Sequence, residues 1–307
     1  MRYFRRSIES LSGVSTATQH GAQQQQRDRQ TSRETRIDTS RDTRRDTSRE
    51  TMAPSGLHLL AIFMVGLSLA HWTENPEEKK FCSWKCLLFV LQWPGSFCVS
   101  FDPSECRVPS NISDWTIHGL WPLKEGMCCS CWHIFHSDLK ELDSQLHQLW
   151  PSLLKNKSSF DFWHSEWRKH GVCAACVEGW NSPQRYFQII LKLRAHYDIQ
   201  RSLDSAGIKP SCNQTYEHDQ IYSVLAPALG DHVVIQCMQD DKGKELLMQV
   251  KILLSRNLTL GCDPHQDQDP KLHPPRLLIT SPGHPCPKDA PLFYLPINHD
   301  HPHSPCG

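Results

Sequence analysis

Beyond Glu77 the apolar positions fall into two distinct periods. Leu87-Leu-Phe-Val-Leu91 is a short unbroken apolar run, followed by Gln92 and Trp93 and stopped by Pro94, the pattern of a strand buried on both faces. Trp115 to Pro122 reads as a second strand. The spacing then changes to three and four: Leu139, Leu142, Leu146, Leu149 and Leu153 mark an amphipathic helix with Pro151 near its end. Phe160 to Gly171 reads as a further helix with Gly171 as its C-terminal cap. Ser182 and Pro183 open a longer one through Tyr186, Phe187, Ile190 and Leu193. After Gly230 the strand pattern returns at 232–238, 245–254 and 291–295. Strands at both ends with helices between them predict an α+β domain, an antiparallel sheet core with several helices. Its expected span is 71–298, followed by a flexible Pro- and His-rich tail, 299–307.

Upstream the pattern is of another kind. Residues 1–51 hold a Gln run (Gln23 to Gln26) and an Arg/Thr/Asp repeat with neither period, and predict a disordered extension. Arg-rich tracts also serve as RNA-binding or sorting segments, but here the acids alternate with the Arg. Residues 52–70 run from Met52 through an apolar stretch, Leu57 to Leu69, to Ser68 and Ala70, the small residues of a signal-peptidase site. The stretch is shorter than the about 20 residues a membrane span needs, so it predicts a cleaved signal peptide with Met52 as a start. Translation from Met1 leaves a signal anchor as the other reading.

Composition changes the picture in two ways. The formal charge is zero, 33 basic against 33 acidic residues. That sum hides +4 in residues 1–51 (11 Arg, 7 acids) and −4 in the remainder. A domain left after cleavage behind Ala70 holds 16 of the 18 His, and is expected to become net cationic in an acidic compartment. Fourteen Cys are heavy usage for a reducing cytosol. Four N-glycosylation sequons, at Asn111, Asn156, Asn213 and Asn257, all lie beyond the apolar run. Together they predict the secretory route, with export or the lysosomal lumen as destination. CCSCWH (Cys128 to His133) and CAAC (Cys173 to Cys176) have zinc-like spacings, but a secretory route favours disulfides.

The chemistry gathers in two segments, WTIHGLWP (115–122) and FWHSEWRKHGVC (162–173). On a helix, Glu166, Lys169 and His170 share one face. Two imidazoles suit cleavage of a phosphodiester by its neighbouring 2′-hydroxyl, one neutral to take a proton and one protonated to give one. A lone His among aromatics is more often a packed core residue. Two such segments, each with Gly directly after the His, shift the balance to catalysis.

These two segments, with LQWPGSFC (91–98), GIKPS (207–211) and PLFYLP (291–296), make the chain resemble the ribonuclease T2 family over about residues 77–296. The resemblance implies a secreted or lysosomal endoribonuclease that leaves 2′,3′-cyclic phosphate ends. It implies no metal or other cofactor, single-stranded RNA rather than DNA as substrate, no membrane association once the signal is cleaved, and a monomer. His118, Glu166, Lys169 and His170 fall on the catalytic positions, His170 as general base and His118 as general acid. Trp93, Trp121 and Phe162 offer stacking surfaces for bases, or pack in the core. The implied disulfides are Cys98–Cys106, Cys128–Cys173 and Cys237–Cys286. Cys262 is left as half of a bridge that is either missing or rerouted toward Cys212, and Cys82, Cys86, Cys129, Cys131, Cys176 and Cys306 fall outside the pattern.

Two positions depart from the family. Ser165 stands where a substrate-contacting His is usual, and His164, about 100° around a helix, does not replace it. Leu123 stands where an Asp that reads adenine is common. A secreted binding or signalling protein of feeble activity is therefore the competing expectation.

Overall fold

In the computed structural model residues 84–123, 131–263 and 283–307 are described, all within one compact unit, Asn75–Gly307. The extension, the signal segment with its cleavage point, and Cys82, Cys128 and Cys129 lie outside the described residues.

The elements run β1 (Cys86–Gln92), α1 (Pro94–Phe97), β2 (Thr116–Pro122), α2 (His136–Leu139), α3 (Asp143–Leu149) and α4 (Ser159–Glu166). A π-helical turn, Trp167–Gly171, leads into α5 (Val172–Ala174). Then follow α6 (Pro183–His196), α7 (Ile199–Ser205), β3 (Thr215–Tyr216), α8 (His218–Leu229), β4 (Val234–Gln239), β5 (Glu245–Ser255), β6 (His284–Pro285) and β7 (Leu292–Phe293). The chain is α+β, as its periodicity predicts. The sheet order is β2-β1-β5-β4-β6, with β7 joining β5 in parallel and pairing β3.

The apolar run of β1 sits between β2 and β5 and is buried along its whole length. Its odd positions, Leu87, Phe89 and Leu91, enter the main core beneath the helices, while Leu88 and Val90 pack on the opposite face with Trp121 and Leu253. Two bulges interrupt the ladders. Val90 pairs Gly119 but Leu91 pairs Ile117, so His118 is the extra residue in β2. Gln236 pairs Gln249 but Cys237 pairs Leu247, so Met248 is extra in β5.

α6 fixes β2 against the sheet. Ser182 caps it by accepting from the Arg185 N–H, with Pro183 in the first turn. From its buried face Tyr186 donates to the Leu120 carbonyl at 2.7 Å. Arg194 donates to the Trp115 carbonyl at 3.0 Å and pairs with Asp114 at 2.7 Å.

Several expectations are corrected. The leucine-rich helix is two pieces, α2 and α3, and Trp150 leaves helical geometry because the residue before a proline is forced out of it. Gly171 is no cap. It stays helical, and it is glycine because a Cβ there would lie 2.3 Å from the Trp167 ring. Cys262 pairs with Cys86 rather than Cys212, and Cys212 pairs with Cys306. The tail expected to be flexible is thereby anchored near its end, with Pro302 buried. Cys98–Cys106 and Cys237–Cys286 form as implied. Cys131, Cys173 and Cys176 are disulfide-bonded too, while the pairing of Cys128 falls outside the described residues.

The Cys86–Cys262 bridge joins the start of β1 to the segment after β5 across 176 positions. Removing a native bridge costs about 2–5 kcal/mol in small secreted domains. The Cys86→Ser, Cys262→Ser pair is therefore expected to melt roughly 5–20 °C lower. Scanning calorimetry without reductant checks this, and an unchanged melting temperature refutes it.

Candidate active site

The bulge in β2 turns His118 out of the ladder, a common way for a sheet to aim a functional side chain. Its carbonyl, freed from strand pairing, accepts from the Trp150 indole N–H at 3.1 Å. Trp150 in turn accepts at its own carbonyl from the Trp163 indole on α4, at 2.7 Å. One relay of tryptophans thus ties the bulge to the helix that carries the other motif.

That helix starts at the Ser158 cap, which accepts from the Asp161 N–H at 3.0 Å. It delivers Glu166 at its end and passes into the π turn, where Val172 N–H reaches back five residues to Trp167 O. Such turns recur at functional sites. Here one presents Lys169 and His170 after Glu166, with His170 Nε2 4.0 Å from Glu166 Oε2.

Trp121 organises the centre. Its indole N–H donates to Glu166 Oε2 at 2.8 Å. Its ring stacks on His170 at 5.1 Å between centroids, and its edge meets His118 at 5.1 Å. The glycine after His118 has a steric reason, since a Cβ on Gly119 would sit 2.4 Å from both Glu166 Oε2 and Trp121 Nε1. Phe162 flanks His118 at 5.9 Å, and the Lys157 ammonium lies over the Phe162 ring at 5.3 Å.

Burial and clustered ammonium charges dominate the electrostatics. Burial first, then the charges of Lys251, Lys169 and Lys157, lower the His118 pKa to about 3. Burial, Lys169 and His118 lower that of His170 to about 3 as well. Burial raises the Glu166 carboxyl, against the opposing pull of Lys169, the Trp121 hydrogen bond and Lys157. Burial also lowers Lys251, to about 8, and brings Lys157 down. Among the described residues no cluster of three or more His, Cys, Asp or Glu is arranged to hold a metal ion.

An imidazole held below its ordinary value costs stability as pH falls. The unfolded chain takes up its proton near 6.5, while the folded chain resists until about 3. At pH 5 this amounts to roughly 1–2 kcal/mol for each imidazole. The protein is therefore expected to melt at a lower temperature at pH 5 than at pH 7, with inorganic phosphate restoring part of the difference. A melting temperature indifferent to both would contradict it.

The sequence-selected residues divide. His118, Glu166 and His170 converge around Trp121, and the charge of Lys169 reaches both imidazoles. Trp93 does not join them. It is 1% exposed, donates to the Leu295 carbonyl and packs on Trp115 and Tyr294, so it has no face for a base. Trp121, 4% exposed, holds the carboxyl rather than offering a stacking surface. Phe162 keeps part of its ring accessible. Ser165 buries a hydroxyl that has no hydrogen-bond partner. His164 turns away and stacks on His133 at 5.9 Å and 7°. Leu123 packs against the cluster of Leu88, Trp121 and Leu253. Asn111, Asn156, Asn213 and Asn257 are all exposed.

Lys157, Lys251, Trp150 and Gln249 are site residues that the motifs do not contain. The signal for two of them is present in β5, where Gln249 and Lys251 interrupt an apolar strand two residues apart, hence on one face.

The model of the ribonuclease T2 family matches residues 84–267. The chain belongs to the ribonuclease T2 family. Human ribonuclease T2 is 33% identical over 251 residues, 78% of this chain and 93% of that protein. Its crystal structure superposes with a TM-score of 0.55 at 31% identity, covering 69% of this chain and 99% of that one. Ribonuclease NT, solved in complex with 5′-AMP, gives 0.56 at 26% identity, covering 69% and 98%. Membership places a ribonuclease on this disulfide-stabilised α+β scaffold, and both histidine motifs lie within the matched span.

Proposed function

We propose that this protein is an endoribonuclease that cleaves single-stranded RNA by transesterification. The observation that carries the reading is the grouping of His118, His170 and Glu166 around one indole, within reach of three ammonium charges. His170 takes the proton of a ribose 2′-hydroxyl. The 2′-oxygen bonds to phosphorus, the bond from phosphorus to the 5′-oxygen breaks, and His118 gives the departing oxygen its proton. Lys169 and Lys157 offset charge on the equatorial oxygens, and Glu166, its pKa raised by burial, can share a proton with them. A bound phosphodiester supplies the negative charge that brings the imidazoles back toward their ordinary range. The products are 2′,3′-cyclic phosphate ends, opened later to 3′-phosphates.

The enzyme is placed in the secretory pathway, exported or lysosomal, with glycans on the four exposed sequon asparagines, acting as a monomer without a metal. Release of cyclic-phosphate fragments from poly(A) and poly(U) at about pH 5 and about pH 7 tests the activity. Activity no greater than that of the His118→Ala, His170→Ala double variant overturns it. A mass shift on glycosidase treatment tests the route. The other reading, a secreted RNA-binding or signalling protein of little activity, rests on Ser165, which brings no cation to the substrate phosphate. Ser165→His is expected to raise kcat/KM about ten- to a hundredfold, the worth of a charged hydrogen bond. An unchanged rate would show that the missing imidazole is no handicap.

A further inference from the structure

Beneath His118 lies a buried polar row that neither motif contains. Gln249 in β5 is paired in register with Gln92 of β1 on one side and Gln236 of β4 on the other. All three are buried, and Gln249 is 0% exposed. Its side-chain nitrogen lies 2.8 Å from His118 Nδ1, and its oxygen is buried with no partner. Gln249 directly follows Met248, the bulge of β5, and His118 is itself the bulge of β2. The two irregularities of the sheet thus meet at one amide–imidazole contact.

We propose that Gln249 is the positioning residue of His118, a partner that supports the imidazole in both its protonation states. An amide nitrogen facing Nδ1 donates to it, which leaves the proton of a neutral ring on Nε2. An imidazolium carries a proton on Nδ1 as well and needs an acceptor there. A half-turn of the same amide about its last torsion presents the oxygen that is now unpartnered. The contact therefore has an answer to each state through which an acid–base residue cycles. A carboxylate there would favour only the charged ring, and an aliphatic side chain neither. The groups that bear on His118 are Lys251 from β5, Lys157 ahead of α4, Lys169 and His170 from the π turn, and Glu166 through Trp121. The side-chain contact at Nδ1 is that of Gln249, at 2.8 Å, which makes it the lever at that atom. The inference rests on the ribonuclease reading for its consequence in rate, but not for its consequence in the ring.

The test uses Gln249→Glu and Gln249→Leu in the full-length protein. Nitrogen NMR of His118, recorded without RNA, reads tautomer and titration. Wild type is expected to hold neutral His118 as the Nε2–H tautomer. Gln249→Glu moves the His118 titration up by at least one pH unit and His170 by less, and carries the basic limb of the pH–rate profile with it. Gln249→Leu mixes the tautomers and lowers kcat at least tenfold with KM within twofold. If the leucine variant does not fold, the near-isosteric glutamate variant decides alone. A His118 titration unmoved in Gln249→Glu, or kcat retained in a folded Gln249→Leu, overturns the proposal. A wild type that cleaves no RNA overturns the activity instead, and the NMR result still stands or falls separately.

Discussion

Alanine at His118 or at His170 is expected to lower the rate of RNA cleavage by roughly a hundred- to ten-thousandfold, the range for losing a positioned general acid or base. The double variant should fall little further than the worse single one, because the two imidazoles act in one proton transfer sequence and such effects do not add. The same substitutions also change how the fold responds to pH. Each imidazole is held near pKa 3 by burial and by surrounding lysines. Removing it relieves that cost but leaves a cavity at either pH, so in both variants the drop in melting temperature from pH 7 to pH 5 should be smaller than in wild type. Initial rates on poly(A) and poly(U), with thermal scans at both pH values, check both halves. A single variant within tenfold of wild type would remove that histidine from the chemistry.

The second large effect is expected from a single methyl group. Gly119→Ala puts a Cβ 2.4 Å from Glu166 Oε2 and from Trp121 Nε1, which are themselves bonded at 2.8 Å. Neither can withdraw freely, since Trp121 is wedged between the two imidazoles and Glu166 ends a helix. Overpacking of this kind costs about 1–3 kcal/mol, and the carboxyl and indole must separate to admit it. The rate is expected to fall at least tenfold with the circular dichroism spectrum unchanged. A variant as active as wild type would mean that the Trp121–Glu166 contact is dispensable.

Much of the fold is written in local pattern. The unbroken apolar run of β1, the Ser182-Pro183 start of α6 and the long apolar β5 are found where the periodicity predicts them. What the pattern misreads depends on contacts distant in sequence. Gly171 has the look of a cap, but its reason is the Trp167 ring, which only the folded π turn brings above it. The Cys86–Cys262 and Cys212–Cys306 pairs depend on which distant segments the fold brings side by side, something no spacing encodes. The site shows the same division. Each motif contains its own catalytic candidates, so His118, Glu166, Lys169 and His170 can be picked out from the chain alone. Trp93 sits in a conspicuous motif, but its environment is the core around Trp115 and Tyr294. Gln249 was visible only as a polar residue in an apolar strand, with no motif to give it meaning.

Ile117 and Leu120 both enter the main core although they are an odd number of residues apart, which a regular strand would send to opposite faces. The extra residue at 118 is what brings them back into phase. The hydrophobic interior and the imidazole therefore make the same demand on the backbone. Straightening β2 with all its residues kept would turn Leu120 away from the core and Trp121 into it, whereas deleting residue 118 itself would keep the core phase and remove only the imidazole. Insertions and deletions at other positions of this strand, which do shift that phase, should consequently be tolerated far less than in the loops, and a chain that has lost His118 by substitution should still keep the kink that once displayed it.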